Sequence, residues 1–247
     1  MIVGKEKIKL VTLNIQKGWS LGKRKKTLSQ IKNCIVDLGA TVVCLQEVAG
    51  ITPALEKQSQ FEFLADGIWS HYAYGKNAVY SRGHHGNAIL SKLPFVSYEN
   101  YDISNHRLER RGILKGVINL PNDRLRNLYV MTVHLDLTAW GRHRQIKKLC
   151  KMIEQSVPPQ APLIVCGDFN DWQEKLSSYI FERVGMSEAY KDKTGEHART
   201  FPTFLPLLKL DRIYYRNLNL LQAYRLDSPK WHQLSDHLGL CVEFDIP

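Results

Sequence analysis

The sequence predicts an α/β fold, a four-layer sandwich in which two mixed β-sheets pack face to face with helices outside. Three observations predict it. Short apolar runs of strand type recur along the whole chain, amphipathic helical patterns separate only some of them, and hairpin-like successions alternate with strand–helix–strand units. Strands of both senses must then share a sheet, and the helices are too few to cover a fully parallel one.

The strand-like runs are, in order, IKLVTLNI (8–15), TVVCLQEV (41–48), HYAYGKNAVY (71–80), NAILS (87–91), GILKGVINL (112–120), NLYVMTVHL (127–135), APLIVCG (161–167), LDRIYY (210–215) and LGLCVEFDI (238–246). Helical patterns fall at 27–38, 52–66, 140–155 and 172–184. In the first of these Leu28, Ile31, Ile35 and Leu38 recur at spacings of three and four, so one face of a helix is apolar.

No linker, repeat or low-complexity tract divides the 247 residues, so one domain over 1–247 is expected. Hydrophobic residues at 44% and charged residues at 23% place the chain among ordinary globular proteins. No apolar stretch reaches the roughly 20 residues that span a bilayer, and the start MIVGKEKIKL interleaves charges where a signal peptide needs an apolar run. A cytoplasmic monomer is expected. Five cysteines, an odd set without a CxxC pair, read as reduced packing residues. A net charge of +10 suits an anionic partner: nucleic acid, a phospholipid headgroup or membrane surface, or a phosphorylated metabolite.

The informative feature is where apolar strands stop being apolar. Asn14 follows VTL, Glu47 follows VVCLQ, His134 follows VMTV, and Asp168 with Asn170 follows LIVCG, each toward the C-terminal end of its strand. Asp211 instead opens LDRIYY, and Asp236 with His237 precedes LGLCVEF. In a mixed sheet the end of one strand lies beside the beginning of an antiparallel neighbour, so all of these can meet on one rim. Any one of them could merely cap a helix or make a turn. Together they offer the hard oxygen ligands that Mg²⁺ or Mn²⁺ prefers, with groups able to orient water and meet a phosphate. No cysteine lies at zinc-ligand spacing from a histidine, and neither a Walker loop nor a G-x-S-x-G elbow is present, which weakens zinc, ATPase and serine-hydrolase readings.

The motifs TLNI, LQEV, GNAILSK, VHL, GDFND, LDRIYY and SDH, in that order from about residue 8 to residue 246, resemble the endonuclease/exonuclease/phosphatase superfamily, in particular its small bacterial, insertion-poor branch. The resemblance implies the DNase I-like fold and metal-dependent hydrolysis of phosphate esters. It implies that Glu47 is the principal metal ligand, supported by Asn14 and Asp236. Asp168 and Asn170 then orient or activate water and contact the phosphate, His237 is the catalytic histidine, and Asp211 holds its imidazole. Whether that imidazole acts as base or as charged phosphate clamp differs among the family's mechanisms. His134 resembles a second histidine of some branches, and Arg111, beside Arg110, a phosphate-contacting arginine. Gln16 stands where apurinic endonucleases carry an acidic ligand, so one ion suffices for the reading.

The substrate is left open between a nuclease-like phosphodiester and a phospholipid or inositol phosphate, and a non-catalytic binding protein is the alternative of another class. The basic run Lys23, Arg24, Lys25 and Lys26 reads as a solvated helix start or as a funnel toward a polyanion or an anionic membrane surface. Trp19, Trp140, Trp172, Phe201 and Phe204 fall in or beside rim loops, where aromatic faces can stack on bases or rest among lipid acyl chains, while packing at the edge of the core is the expected role for most. His84 and His85 are expected in a loop before a strand, with no metal role.

Overall fold

A computed structural model describes residues 7–23, 25–50, 58–81, 83–106, 109–120 and 127–246. Its strands are β1 (Lys7–Asn14), β2 (Val42–Ala49), β3 (His71–Tyr80), β4 (Gly83–Ser91), β5 (Phe95–Asp102), β6 (Gly112–Asn119), β7 (Asn127–His134), β8 (Leu163–Asp168), β9 (Ser187–Glu188), β10 (Asp211–Arg216), β11 (Asn219–Arg225) and β12 (Leu240–Asp245). Its helices are α1 (Leu28–Asp37), α2 (Gln60–Ala65), α3 (Ala139–Ser156), α4 (Leu176–Val184) and α5 (Ala189–Thr194). The strands form two six-stranded sheets, β11-β12-β1-β2-β4-β3 and β5-β6-β7-β8-β10-β9. Each contains one parallel pair, β1 with β2 and β7 with β8, among antiparallel neighbours. The sheets are mixed, as the sequence predicts.

Period-two alternation sorts the strand residues into layers. In β1, Ile8 and Leu10 point between the sheets while Val11 and Leu13 face α1 and α2; in β8, Ile164 and Cys166 point between the sheets while Leu163 and Val165 face α3 and α4. Both faces of these strands are therefore buried, which is why they read as continuous apolar runs. The helices supply the outer layers through Ile31 and Ile35 of α1 and through Ile146, Leu149 and Ile153 of α3. Each such buried side chain contributes about 1.5–3 kcal/mol relative to exposure.

Four expectations need correction. The helix expected at 52–66 is observed only over Gln60–Ala65, started by a capping box between Ser59 and Glu62; residues 51–57 lie outside the described residues. The helix expected at 172–184 begins at Leu176, because Asp171 Oδ2 accepts from the Leu176 amide and holds the preceding residues in a turn. The strand at 87–91 extends back to Gly83, so His84 and His85 are in β4 rather than in a loop. Among the rim aromatics, Trp140, Trp172 and Phe204 are 62%, 41% and 70% exposed and do not pack at the core edge. All five cysteines are free, and four of them are buried.

Candidate active site

Strand register sets the row of residues from which the site is built. His134, the last residue of β7, lies opposite Asp168, the last of β8, and Asp168 lies opposite Asp211, the first of β10. In the other sheet Asn14, the last residue of β1, lies opposite Gln46, which precedes Glu47. The two rims meet where Asn14 Nδ2 donates to Asp168 Oδ2 at 3.3 Å.

Backbone irregularities aim the groups. Glu47 interrupts the β2–β4 register between Leu45 and Val48 and adopts φ +54°, a left-handed conformation that costs a non-glycine residue about 1–2 kcal/mol. Gln16, Lys17 and Asn170 share this conformation at φ +45°, +56° and +51°, so the unfavourable backbone is concentrated on this rim. Gly167, at φ +136°, leads into Asp168 where β8 runs so close to β7 that a Cβ would stand 2.1 Å from the Val133 carbonyl oxygen. The glycine of GDFN is thus required by backbone approach.

Asp168 is the hub. Its Oδ1 accepts from the Asn170 amide at 3.0 Å, and its Oδ2 lies 3.5 Å from His134 Nε2 and 3.8 Å from His237 Nε2. The other ring nitrogen of His237, Nδ1, is 2.9 Å from Asp211 Oδ2. Burial alone would lower the His237 imidazole, but the carboxylates of Asp211 and Asp168 outweigh it and raise its pKa to about 10. Its Nδ1–H therefore donates to Asp211, and the ring is a cation at neutral pH. His134 lies the other way: burial, joined by the charge of Arg111, lowers it to about 4, so it is neutral. One imidazole of each charge state faces a single carboxylate oxygen.

Of the predicted metal ligands, Glu47 and Asp236 stand near enough for the charge of one to act on the other. Among the described residues the one group of three or more His, Cys, Asp or Glu side chains with ligand atoms within 4.8 Å of one another is His106, Glu109 and Asp136, which includes none of them. Glu47 instead holds a cation of the protein's own, Lys17 Nζ, 2.8 Å from its Oε2. Burial would raise the Glu47 carboxyl, but the charges of His134 and Lys17 and the Lys17 hydrogen bond bring it down to about 2. Since His134 is neutral above about 4, Lys17 is the charge that keeps Glu47 company at neutral pH. Asp236 is raised by burial and, against the pull of His237, by the negative charge of Glu47. Asn14 Oδ1 accepts from the Gln16 amide at 3.1 Å. Two carboxylates that disfavour each other, beside a carboxamide, make an all-oxygen donor set that a hard divalent cation fits, and the ammonium at Glu47 marks where positive charge is wanted.

Arg111 donates Nε and Nη2 to Glu109 Oε1 at 3.3 and 2.8 Å, and its charge reaches His134 and His85; Arg110 pairs with exposed Asp102 instead. Of the two adjacent arginines, Arg111 is the one at the site. Asn170 Nδ2 donates to the Leu135 carbonyl at 2.9 Å and ties the ends of β7 and β8 together.

Several residues here are absent from the sequence reading or carry no role in it. Lys17 is one. His85, half-buried on β4, faces Lys17, Glu47 and Arg111, and burial with the Lys17 charge lowers it to about 4. Gln46 Nε2 bridges the sheets, donating to Thr12 Oγ1 at 3.1 Å and Thr132 Oγ1 at 2.9 Å, and Asn87 Nδ2 reaches the Gly112 and Thr132 carbonyls. Ser235 Oγ donates to the Asn14 carbonyl at 2.6 Å, which fixes the SDH turn to the end of β1. Gln46, Asn87 and Ser235 sit inside LQEV, GNAILSK and SDH, so the motifs carried their signal; Lys17 and His85 carried none.

The Escherichia coli (strain K12) protein described as uncharacterized protein YbhP is 39% identical over 245 residues, covering 96% of each chain. The fold is shared with the endonuclease/exonuclease/phosphatase from Bacteroides vulgatus, at TM-score 0.80 and 17% identity over 98% of this chain and 100% of that one. It is shared too with D. rerio TDP2 complexed with a single-strand DNA product, at TM-score 0.73 and 17% identity over 97% of this chain and 99% of that one. The resemblance read from the motifs holds: with residues 11–237 matching its pattern, the chain belongs to the Endonuclease/Exonuclease/phosphatase family.

Proposed function

We propose that the chain hydrolyses a phosphate ester with the help of Mg²⁺ or Mn²⁺. The observation that carries this reading is the convergence on Asp168 Oδ2 of a cationic imidazole, a neutral imidazole and the Asn14 amide. It is supported by membership of a family of phosphoester hydrolases that generally depend on divalent metal.

In this reading Glu47, Asp236 and Asn14 hold the ion, which would neutralise a non-bridging phosphate oxygen. The chain's own groups do the rest. Asp168, anchored through Oδ1 to the Asn170 amide, directs Oδ2 into the site, where it orients an attacking water and accepts its proton as the water oxygen bonds to phosphorus and the bond from phosphorus to the leaving oxygen breaks. His237, held by Asp211, presents Nε2–H to a phosphoryl oxygen; its positive charge favours the clamp over the base. His134, being neutral, can hydrogen-bond the phosphate or the leaving oxygen without repelling the ion. Arg111, braced by Glu109, adds a fixed positive charge beside it.

A phosphodiester, whether nucleic acid or phospholipid, is the substrate class proposed. A nuclease-like reading draws on the fold shared with a DNA-bound protein; a lipid-directed reading draws on the surface around the site, treated below. The test is a metal-dependent screen over plasmid DNA, abasic DNA, RNA, phospholipids, inositol phosphates and a soluble chromogenic phosphodiester, with Asp168→Asn alongside. Hydrolysis that needs Mg²⁺ or Mn²⁺ and falls about 10²- to 10⁴-fold in the variant supports the reading. Activity that survives both Glu47→Ala and His237→Ala sinks it.

A further inference from the structure

Three loops border the site, and each carries large apolar side chains into solvent. The β7–α3 connection and first turn of α3 present Leu137 and Trp140, the β8–α4 turn presents Trp172, and the segment between α5 and β10 presents Phe204, Leu205 and Leu207; all six are between 41% and 70% exposed. The loops are linked to the site and to one another. Phe201, at the base of the third, lies 4.9 Å from the His237 ring, and the Thr203 amide donates to the Asp236 carbonyl. Arg142 donates to the Leu137 carbonyl and stacks under Trp172 at 4.3 Å, joining the first loop to the second. Lys209 Nζ reaches Glu174 at 2.9 Å, joining the second to the third.

The backbone that carries Phe204, Leu205 and Leu207 is held in place. The amides of Leu207 and Leu208 both donate to the Phe201 carbonyl, the Leu205 amide donates to Pro202, and the Thr200 amide to Leu208, so the tip of the third loop is pinned by its own backbone. Large apolar side chains exposed on neighbouring loops beside a site mark an interaction surface. Its chemistry selects the partner. Exposed aromatics alone would suit stacked bases, but Leu137, Leu205 and Leu207 have no π-face and gain nothing from stacking. Leucines with tryptophans, and with cations close by, suit the boundary between lipid headgroups and acyl chains. Arg144 lies over Trp140 at 4.6 Å, and Lys175 is exposed in the Trp172 turn. The net charge of +10 has the sign that anionic lipid attracts.

We infer that this apolar crown docks the active-site rim onto an anionic lipid bilayer, placing the site over esters presented at the lipid surface. Only that placement rests on the phosphoesterase reading; the docking does not. Among the described residues no helix is long and apolar enough to cross a membrane.

The test is flotation of the full chain with vesicles of phosphatidylglycerol and phosphatidylcholine, and with phosphatidylcholine alone, without any hydrolysis being read. The expected result is partition onto the anionic vesicles, weakened by raising salt, and at least tenfold weaker in the triple variant Phe204→Ser, Leu205→Ser, Leu207→Ser. Cleavage of a soluble chromogenic phosphodiester by that variant should equal wild type. Because the triple variant could fold poorly, quenching of wild-type tryptophan emission by brominated phosphatidylcholine gives an independent reading, with Trp140→Phe removing part of it. Wild type that stays with the soluble fraction, a triple variant that floats like wild type, absent quenching, or a single-stranded DNA oligonucleotide that binds more tightly than the vesicles through the same residues, overturns the inference.

Discussion

Lys17 Nζ stands 2.8 Å from Glu47 Oε2, so the carboxylate expected to hold a divalent cation is already holding a monovalent one. The two compete for the same oxygen. Lys17→Met should therefore tighten Mn²⁺ binding, by about 2- to 5-fold given that a partly exposed ion pair is worth about 0–1 kcal/mol. Glu47→Gln should weaken it at least tenfold. Calorimetry on the metal-free protein checks both, and weaker binding in Lys17→Met would show that the lysine does not compete.

The Asp211 carboxylate accepts from His237 Nδ1 at 2.9 Å and helps to hold its pKa at about 10. A folded pKa above the unfolded value of about 6.5 means that the pairing stabilises the fold fully below pH 6.5 and ceases to do so as pH rises through about 10. In Asp211→Asn the imidazole of the metal-free protein should titrate at lower pH, and activity with the metal present should fall about 10²-fold or more. Histidine NMR titration reads the first and steady-state hydrolysis the second.

Gly167→Ala should destabilise the fold by about 3 kcal/mol, because the new Cβ can be accommodated only by parting β7 from β8 at a positive φ. Denaturant unfolding measures the loss. Stability close to that of wild type would show that the two strands are not held that tightly.

Asp136 lies just beyond the site, and its carboxyl is lowered: burial pushes it up, but hydrogen bonds from the Thr138 amide and from Thr138 and Asn105 side chains outweigh this. Its stabilising effect is present above pH 3.8, the ordinary value, and is lost as pH falls through the lower folded value. Asp136→Asn should cost about 1–3 kcal/mol at pH 7 and shrink the loss of stability in acid. Thermal melts from pH 3 to pH 7 compare the two proteins.

What the sequence reveals follows burial. Strands covered on both faces, such as β2 and β8, leave long apolar runs, and the polar residues ending them are conspicuous by contrast. The edge strands β5 and β11 leave no such mark: β5 is mostly exposed and β11 half-buried, so neither is legible, whereas the edge strand β3 keeps enough β-type residues to be read. The site divides the same way. Asn14, His134, Asp168 and Asp211 align because their strands do, whereas Lys17 reaches Glu47 from a kinked turn whose left-handed backbone no local pattern announces. The place of His85 on a strand is not legible because the apolar part of β4 begins only after it.

The central claim is that Asp168 works on water beside a metal-assisted phosphate. It is tested most directly by the rate of Mn²⁺-dependent cleavage of a soluble chromogenic phosphodiester by wild type and by Asp168→Asn, whose near-isosteric side chain keeps the shape of the hub. The expected result is metal-dependent turnover in wild type and a loss of about 10²- to 10⁴-fold in the variant with its fold and melting behaviour retained. Equal rates in the two proteins, or cleavage indifferent to chelation of the metal, would contradict it.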